Sequence, residues 1–226
     1  MPSVNSALVE ALSLAKQAVK AGAQFLFLPE YCGGLMSKDA ALVPPAYAEM
    51  EHPFLATFHG FARDYDVWIM IGSIAVTGPA GKIINRGFVL DARGEIVSRY
   101  DKIHMFDIQM SDTEVYRESA CVSPGENSCL VGTDFAKIGH TICYDLRFPH
   151  LYRDLAKAGA EILCDPAAFI KKTGEAHWHV LNRARAIENG AFVVSPCAVG
   201  PVNAGGEAYG HSLIIDPWGK VLVDDS

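Results

Sequence analysis

The sequence predicts one α/β domain in which helices cover a mixed sheet system. Three observations support this. Segments with helical spacing alternate with short apolar strands early in the chain, whereas paired strands with turn signals cluster in the middle and at the end. A third is that no Pro/Ser-rich linker interrupts the 226 residues. We therefore assign residues 1–226 to a single domain.

The first part of the chain supplies two predicted helices and four predicted strands. Leu8, Leu12 and Val19 recur at helical spacing, and Gly22 is a plausible helix stop. The turn signal at 91–94 joins two apolar runs as a hairpin. The helices are predicted at 5–21 and 53–65, and the strands at 24–28, 67–76, 82–90 and 95–100.

The second part begins with a segment of mixed polarity at 103–128 that holds Pro124-Gly125, so we predict a long loop there. Beyond it, Asn189-Gly190 ends a longer helix, and the turn at 216–219 leads into a last strand. The helices are predicted at 149–159 and 174–189, and the strands at 129–131, 135–142, 160–165, 191–197, 210–215 and 220–223.

Composition excludes several classes of function. The 19 Lys and Arg are outnumbered by 26 Asp and Glu, giving a formal net charge of −7, and phosphate binding needs a basic surface, so nucleic acid is not expected as a partner. The sequence contains no run of 18 or more apolar residues, so no membrane span is predicted. The six cysteines are scattered without a CxxC pair, which favours a reducing, cytoplasmic location.

Three predicted strands run into reactive side chains, namely Glu30, Lys102 and Cys143. Sites tend to gather beyond the carboxyl ends of strands, and an acid, an amine and a thiol suit acyl transfer through a thioester. Glu30 could act as a general base and Lys102 could stabilise an oxyanion. On local sequence alone a loop acid is as good an interpretation of Glu30, whereas a solvated lysine and a small buried thiol are favoured for Lys102 and Cys143.

Other polar residues are weighed in the same way. Glu118 could orient the lysine or form a loop salt bridge. Arg147 could bind a substrate carboxylate through its bidentate fork, or pair with Asp145. His140 lies three residues before Cys143 and should face the opposite way in a strand, so a Cys–His dyad is not favoured.

The histidines do not predict a metal site. His177 and His179 lie two residues apart on a predicted helix. Residues two apart do not share a helical face, whereas helical zinc pairs are four apart. We therefore predict no metal at this pair.

Glu30, Lys102 and Cys143 occur in the order of the Glu-Lys-Cys catalytic set of the nitrilase, or carbon–nitrogen hydrolase, superfamily, and the residues around them resemble its motifs. The chain is most similar to the Nit branch, which includes ω-amidases and deaminated-glutathione amidases. The segments that resemble the family are Leu28-Pro29-Glu30, Tyr100-Asp101-Lys102-Ile103-His104, Cys143-Tyr144-Asp145-Leu146-Arg147-Phe148-Pro149, Thr173-Gly174-Glu175-Ala176-His177-Trp178, Arg183-Ala184-Arg185-Ala186-Ile187-Glu188, Gly210-His211-Ser212 and Asp216-Pro217-Trp218-Gly219.

The resemblance implies a four-layer α-β-β-α sandwich and hydrolysis of a small amide through a thioester. It implies Cys143 as nucleophile, Glu30 as general base and Lys102 as oxyanion stabiliser, with the backbone N–H of Tyr144 as second oxyanion donor. Glu118 falls where many members carry a second glutamate. No metal or organic cofactor is expected. The expected partners are a small-molecule amide, in particular the ω-amide of a carboxylate-bearing substrate, water, and further copies of the chain in a homodimer or higher oligomer.

Other functions stay open at this point. A nitrile hydrolase or an N-carbamoyl amide hydrolase would use the same three residues, and a non-catalytic scaffold could share the fold. Family members usually begin with a strand before the first helix and end with a further strand and a tail. We expect this chain to lack both.

Overall fold

The computed structural model describes residues 3–38, 41–202 and 206–225. Within these ranges the helices are Val4–Lys20 (α1), Pro53–Tyr65 (α2), Pro149–Lys157 (α3) and Lys171–Asn189 (α4). The strands are Phe25–Phe27 (β1), Ser37–Lys38 (β2), Ala41–Leu42 (β3), Ala46–Tyr47 (β4), Trp68–Thr77 (β5), Ile83–Leu90 (β6), Ile96–Asp101 (β7), Asp107–Gln109 (β8), Val115–Arg117 (β9), Cys129–Gly132 (β10), Lys137–His140 (β11), Ile162–Cys164 (β12), Phe192–Ser195 (β13), Val199–Val202 (β14), Gly206–Tyr209 (β15), Ser212–Ile215 (β16) and Val221–Asp225 (β17).

Local chemistry explains where the first two helices begin and end. Ser3 caps α1, because its side chain accepts a hydrogen bond from the backbone N–H of Ser6. Pro53 occupies the first turn of α2, where its missing N–H costs nothing. Asp66 ends α2 in the left-handed conformation, with φ 53°. Both helices agree with the predicted ranges within about a residue.

The strands form two larger sheets and three two-stranded ribbons. The first sheet has the order β1-β5-β6-β7, with β4 also beside β5, and the second has the order β10-β11-β12-β13-β16-β17. The ribbons pair β2 with β3, β8 with β9 and β14 with β15. Parallel and antiparallel pairs occur in both larger sheets, so the predicted mixed α/β class is confirmed.

Alternation along β5 shows how the layers pack. Ile69 and Ile71 belong to a buried cluster with residues of α1 and α2, whereas Trp68 and Met70 belong to a cluster with Ile138 of the second sheet. Successive side chains of a strand point to opposite faces. One face of the first sheet therefore meets helices and the other meets the second sheet, whose remaining face packs on α3 and α4.

Two predictions about the elements are wrong. The segment 103–128 is not one loop, because it contains β8, β9 and a 3₁₀ turn at Glu118–Ala120. Helix α4 begins at Lys171, before the predicted start at residue 174. The ribbon of β14 and β15 was not predicted. The expectation of absent terminal elements stays a prediction. No helix in the described part of the chain combines the length and the hydropathy needed to cross a membrane.

Candidate active site

The first sheet delivers two of the predicted residues to the same end. Strand β1 pairs parallel to β5, and β7 also runs with β5 because both are antiparallel to β6. Glu30 follows β1 and Lys102 follows β7 directly. Their side chains meet, with Lys102 Nζ 3.0 Å from Glu30 Oε1. The pair is buried, at 2% and 3% side-chain exposure.

Glu30 is held by three donors. Besides Lys102, its Oε1 accepts a hydrogen bond from Asn85 Nδ2 at 2.8 Å, and its Oε2 accepts one from the backbone N–H of Ala168 at 2.8 Å. Asn85 lies in the first sheet, whereas Ala168 follows β12 of the second. The carboxylate therefore connects the two sheets and has a fixed orientation.

Glu118 completes a carboxylate–lysine–carboxylate contact. Lys102 Nζ donates to Glu118 at 3.0 Å, and the backbone N–H of Phe106 donates to Glu118 Oε2 at 2.6 Å. Burial raises the pKa of Glu118, and the charge of Glu30 raises it further against the opposing effect of Lys102. Burial alone would lower the pKa of Lys102, but the charges of Glu118 and Glu30 outweigh it and raise that pKa well above its ordinary value. The lysine is therefore a cation at neutral pH.

Cys143 begins the 3₁₀ turn Cys143–Arg147 with φ 52°, an uncommon conformation for a residue with a side chain. Its backbone N–H donates to the carbonyl of Pro166 at 3.0 Å. Burial raises the pKa of the thiol well above its ordinary value, and the charge of Glu30 adds to this, with Lys102 opposing. The resting side chain is therefore a thiol, which needs a base to become a nucleophile.

Asp145 connects the segments that carry Lys102 and Cys143. This fully buried carboxylate accepts hydrogen bonds from the Tyr100 hydroxyl at 2.7 Å, from the backbone N–H of His104 at 3.0 Å and from that of Ile142 at 3.0 Å. Tyr100 and His104 flank the lysine on either side, and Ile142 precedes the cysteine. Asp145 thus sets the position of the amine relative to the thiol.

Arg147 does not pair with Asp145, so that alternative from the sequence is wrong. Asp145 is occupied by the donors described above. The Arg147 guanidinium instead lies 5.6 Å from the centroid of the Tyr144 ring and 5.4 Å from that of Phe169, and Nη2 is 3.2 Å from His177 Nδ1. No carboxylate within the described residues neutralises this cation at salt-bridge distance, which leaves its fork available to an anion.

Tyr31 was not predicted, although it directly follows Glu30. Its side chain is buried with φ 51°, and its hydroxyl has no hydrogen-bond partner within the described residues. Burial raises its pKa well above the ordinary value, and the charge of Glu118 is the next cause, ahead of Lys102, which lowers it. The hydroxyl therefore lies within the field of the buried charges and retains its hydrogen-bonding capacity.

His140 does not take part in this arrangement as a base. It is fully buried and packs against the Tyr100 ring at 5.2 Å between centroids. Burial lowers its pKa to about 4, so its imidazole is neutral near pH 7. The structure thus brings together the predicted acid, amine and second glutamate, with the thiol inside their electrostatic field, and adds Asn85, Asp145 and Tyr31.

Comparison with known proteins gives one consistent result. The family model described as carbon-nitrogen hydrolase matches residues 2–226. A deaminated glutathione amidase from Yersinia enterocolitica is 39% identical over 207 residues, which are 90% of this chain and 72% of that protein. The C. elegans NitFhit protein superposes with a TM-score of 0.89 at 30% identity, over 100% of this chain and 56% of that one.

A third relative bears on the chemistry. A mutant of the amidase from Nesterenkonia sp. AN1 superposes with a TM-score of 0.82 at 25% identity, over 100% of this chain and 82% of that one. Its structure shows covalent addition of the acetamide moiety of fluoroacetamide at the active site cysteine.

Proposed function

Since the chain belongs to the carbon–nitrogen hydrolase family and is an amide-hydrolysing enzyme that uses a thiol, we propose that Cys143 is that thiol and that the substrate is the ω-amide of a small carboxylate-bearing molecule. The observation that carries this proposal is the buried contact of Lys102 with Glu30 and Glu118, whose charges act on the thiol. Relatives named deaminated glutathione amidase support the substrate class.

In the first half of the reaction Glu30 takes the proton of Cys143 while the sulfur attacks the amide carbon. Burial raises the pKa of the thiol and disfavours a free thiolate, which supports proton transfer to Glu30 as the sulfur attacks. The oxyanion forms against the Lys102 ammonium and the backbone N–H of Tyr144. The C–N bond then breaks, and ammonia leaves with the proton that Glu30 returns.

In the second half Glu30 takes a proton from water as the water oxygen attacks the thioester carbon. A second oxyanion forms in the same place, the C–S bond breaks, and the proton returns to the sulfur. Glu118 keeps Lys102 charged and directed at the oxyanion, since the ammonium is held at 3.0 Å from both carboxylates. All the required groups belong to this chain, and we propose that no metal or organic cofactor takes part.

We further propose a homodimer in the cytoplasm. Exposed apolar side chains on α4 and on the turn before β17, among them Val180, Ile187 and Trp218, support association through this helical face. All six cysteines are free, in keeping with a reducing compartment.

Trapping the acyl intermediate tests the nucleophile. Wild-type protein quenched during turnover of a slow ester or amide should carry an acyl group on the peptide that holds Cys143, as read by mass spectrometry. Cys143→Ala should lose turnover and the adduct while keeping its melting temperature close to that of the wild type, because one small residue replaces another. An adduct on Cys32, Cys164 or Cys197 would place the nucleophile elsewhere.

Arg147 tests the substrate class. Arg147→Lys should lower kcat/KM for ω-amides of dicarboxylic acids by roughly tenfold or more, and change that for neutral amides of equal length little, because lysine keeps the charge but lacks the bidentate fork. We would measure kcat/KM on a panel of these amides that also includes short nitriles and N-carbamoyl amino acids. Equal losses on charged and neutral substrates would contradict the carboxylate preference, and faster turnover of a nitrile or carbamoyl compound would replace the amide.

A further inference from the structure

Three potential metal ligands lie together where α4 packs beside strands β16 and β17. They are His179 of α4, His211 immediately before β16, and Asp224 of β17, and we call them the His–Asp–His cluster. One ligand atom from each lies within 4.8 Å of the others. They come from three elements that are distant in sequence, so the sequence argument about His177 and His179 did not reach them.

The distances suit a single ion. His179 Nε2 lies 3.0 Å from Asp224 Oδ2, and His211 Nδ1 lies 2.8 Å from Asp224 Oδ1. A tetrahedral ion with bonds of about 2.0–2.1 Å requires neighbouring ligand atoms roughly 3.3 Å apart. Both carboxylate–imidazole distances are close to this value, and the two imidazole nitrogens lie within 4.8 Å of each other, so binding needs an adjustment of the side chains. Each imidazole exposes its lone pair once its proton moves to the other ring nitrogen.

The two rings are held in place by their surroundings. His211 has φ 56°, an uncommon conformation for a residue with a side chain, and its ring stacks on that of Tyr209 at 4.5 Å between centroids. The ring of His179 meets that of His211 edge-on at 5.2 Å. The ligand directions are thus set before an ion arrives, which lowers the entropic cost of binding.

The charge of the cluster also suits a cation. An aspartate carboxylate carries a negative charge near neutral pH. Within the described residues, both side-chain partners of Asp224 are these imidazoles, so no lysine or arginine competes for it.

We propose that His179, His211 and Asp224 bind one borderline transition-metal ion, of which Zn²⁺ is the probe. Two imidazole nitrogens and one carboxylate oxygen favour Zn²⁺, Ni²⁺ or Cu²⁺ over Mg²⁺ and Ca²⁺, which prefer oxygen ligands. In the isolated chain these three side chains are 30–37% exposed, which leaves room for water as the remaining ligand. The bound ion ties α4 to β17 at the edge of the second sheet.

Calorimetric titration of the chelator-stripped full chain with Zn²⁺, and separately with Ni²⁺, tests this proposal. Both ions should bind with a stoichiometry of one and raise the melting temperature, whereas Mg²⁺ should do neither. His179→Gln and Asp224→Asn should each weaken binding at least about tenfold, because loss of a partner even outside the ligand shell has effects of that size. His211→Asn should do the same, and asparagine tolerates the positive φ.

His177→Gln is the matched control, since His177 lies on the same helix and outside the cluster. It should bind both ions as the wild type does. Titration with Ni²⁺ separates binding at the cluster from binding at the free thiols, because thiols favour Zn²⁺. The proposal would be overturned if the wild type showed no saturable binding. It would also be overturned if binding persisted in folded His179→Gln and Asp224→Asn, or if His177→Gln lost as much affinity as those variants.

Discussion

The buried Lys102 and the exposed Lys171 form ion pairs of similar length in opposite surroundings. Lys102 lies 3.0 Å from Glu30 and from Glu118 with 2% of its side chain exposed, whereas Lys171 lies 2.9 Å from Glu207 with 50% exposed. Water can replace Glu207 as a partner of Lys171. Nothing replaces the two acids around Lys102, so the buried lysine depends on these two partners, whereas the exposed lysine does not depend on Glu207.

Under the proposed mechanism, the contact of Lys102 with Glu30 and Glu118 also serves proton transfer. Burial and the charge of Glu30 raise the pKa of Glu118, and the charges of both carboxylates raise the pKa of Lys102 against the effect of burial. A proton that arrives from Cys143 lowers the excess negative charge around the lysine. The proposed mechanism therefore expects the buried site to accept that proton during attack and to release it later.

Removing the inner cation gives the largest expected effect. Lys102→Met should lower kcat on the order of a hundredfold or more, because an oxyanion donor is lost. It should also cost about 3–5 kcal/mol in the free energy of unfolding, since two buried acids lose their partner. Steady-state kinetics and urea unfolding measure the two effects.

Lys171→Met is the matched control and should change the free energy of unfolding by less than about 1 kcal/mol, since exposed pairs contribute little. Adding Glu118→Gln to Lys102→Met should recover part of the lost stability, because one buried charge is removed. Equal losses for the Lys102 and Lys171 variants, or no recovery in the double variant, would contradict the contrast between the two environments.

The sequence predicts the residues that lie at strand ends and misses those that depend on packing. Glu30 and Lys102 follow apolar strands, whose carboxyl ends meet at one edge of a sheet. Asp145 is visible in the sequence, but its role depends on donors from Tyr100 and His104, which lie some 40 positions earlier.

Short elements account for the errors in the fold. Strands β8 and β9 have three residues each, too few for alternation to separate them from a loop. The His–Asp–His cluster is not predicted from the sequence for a different reason. Its three residues come together only when a helix, a turn and a strand pack.

Tyr31 provides the test with the smallest expected effect on the buried site around Lys102. Tyr152 is its comparison, because it is also a buried tyrosine but its hydroxyl is hydrogen-bonded. The Tyr152 hydroxyl lies 2.6 Å from Thr141 Oγ1 and donates to Asp165 Oδ1 at 3.0 Å, whereas that of Tyr31 has no partner in the described ranges. We expect the Tyr31 hydroxyl to hydrogen-bond the reacting substrate, so Tyr31→Phe should lower kcat roughly fivefold, which corresponds to one hydrogen bond of about 1 kcal/mol. Its free energy of unfolding should stay the same or rise, since phenylalanine keeps the ring.

Tyr152→Phe is the matched control. It should lose about 1–3 kcal/mol in the free energy of unfolding, because its buried partners are left unsatisfied, and its kcat should change less. Unchanged kcat in Tyr31→Phe, together with a stability loss like that of Tyr152→Phe, would make Tyr31 a structural residue and confine the chemistry to Glu30, Lys102 and Cys143.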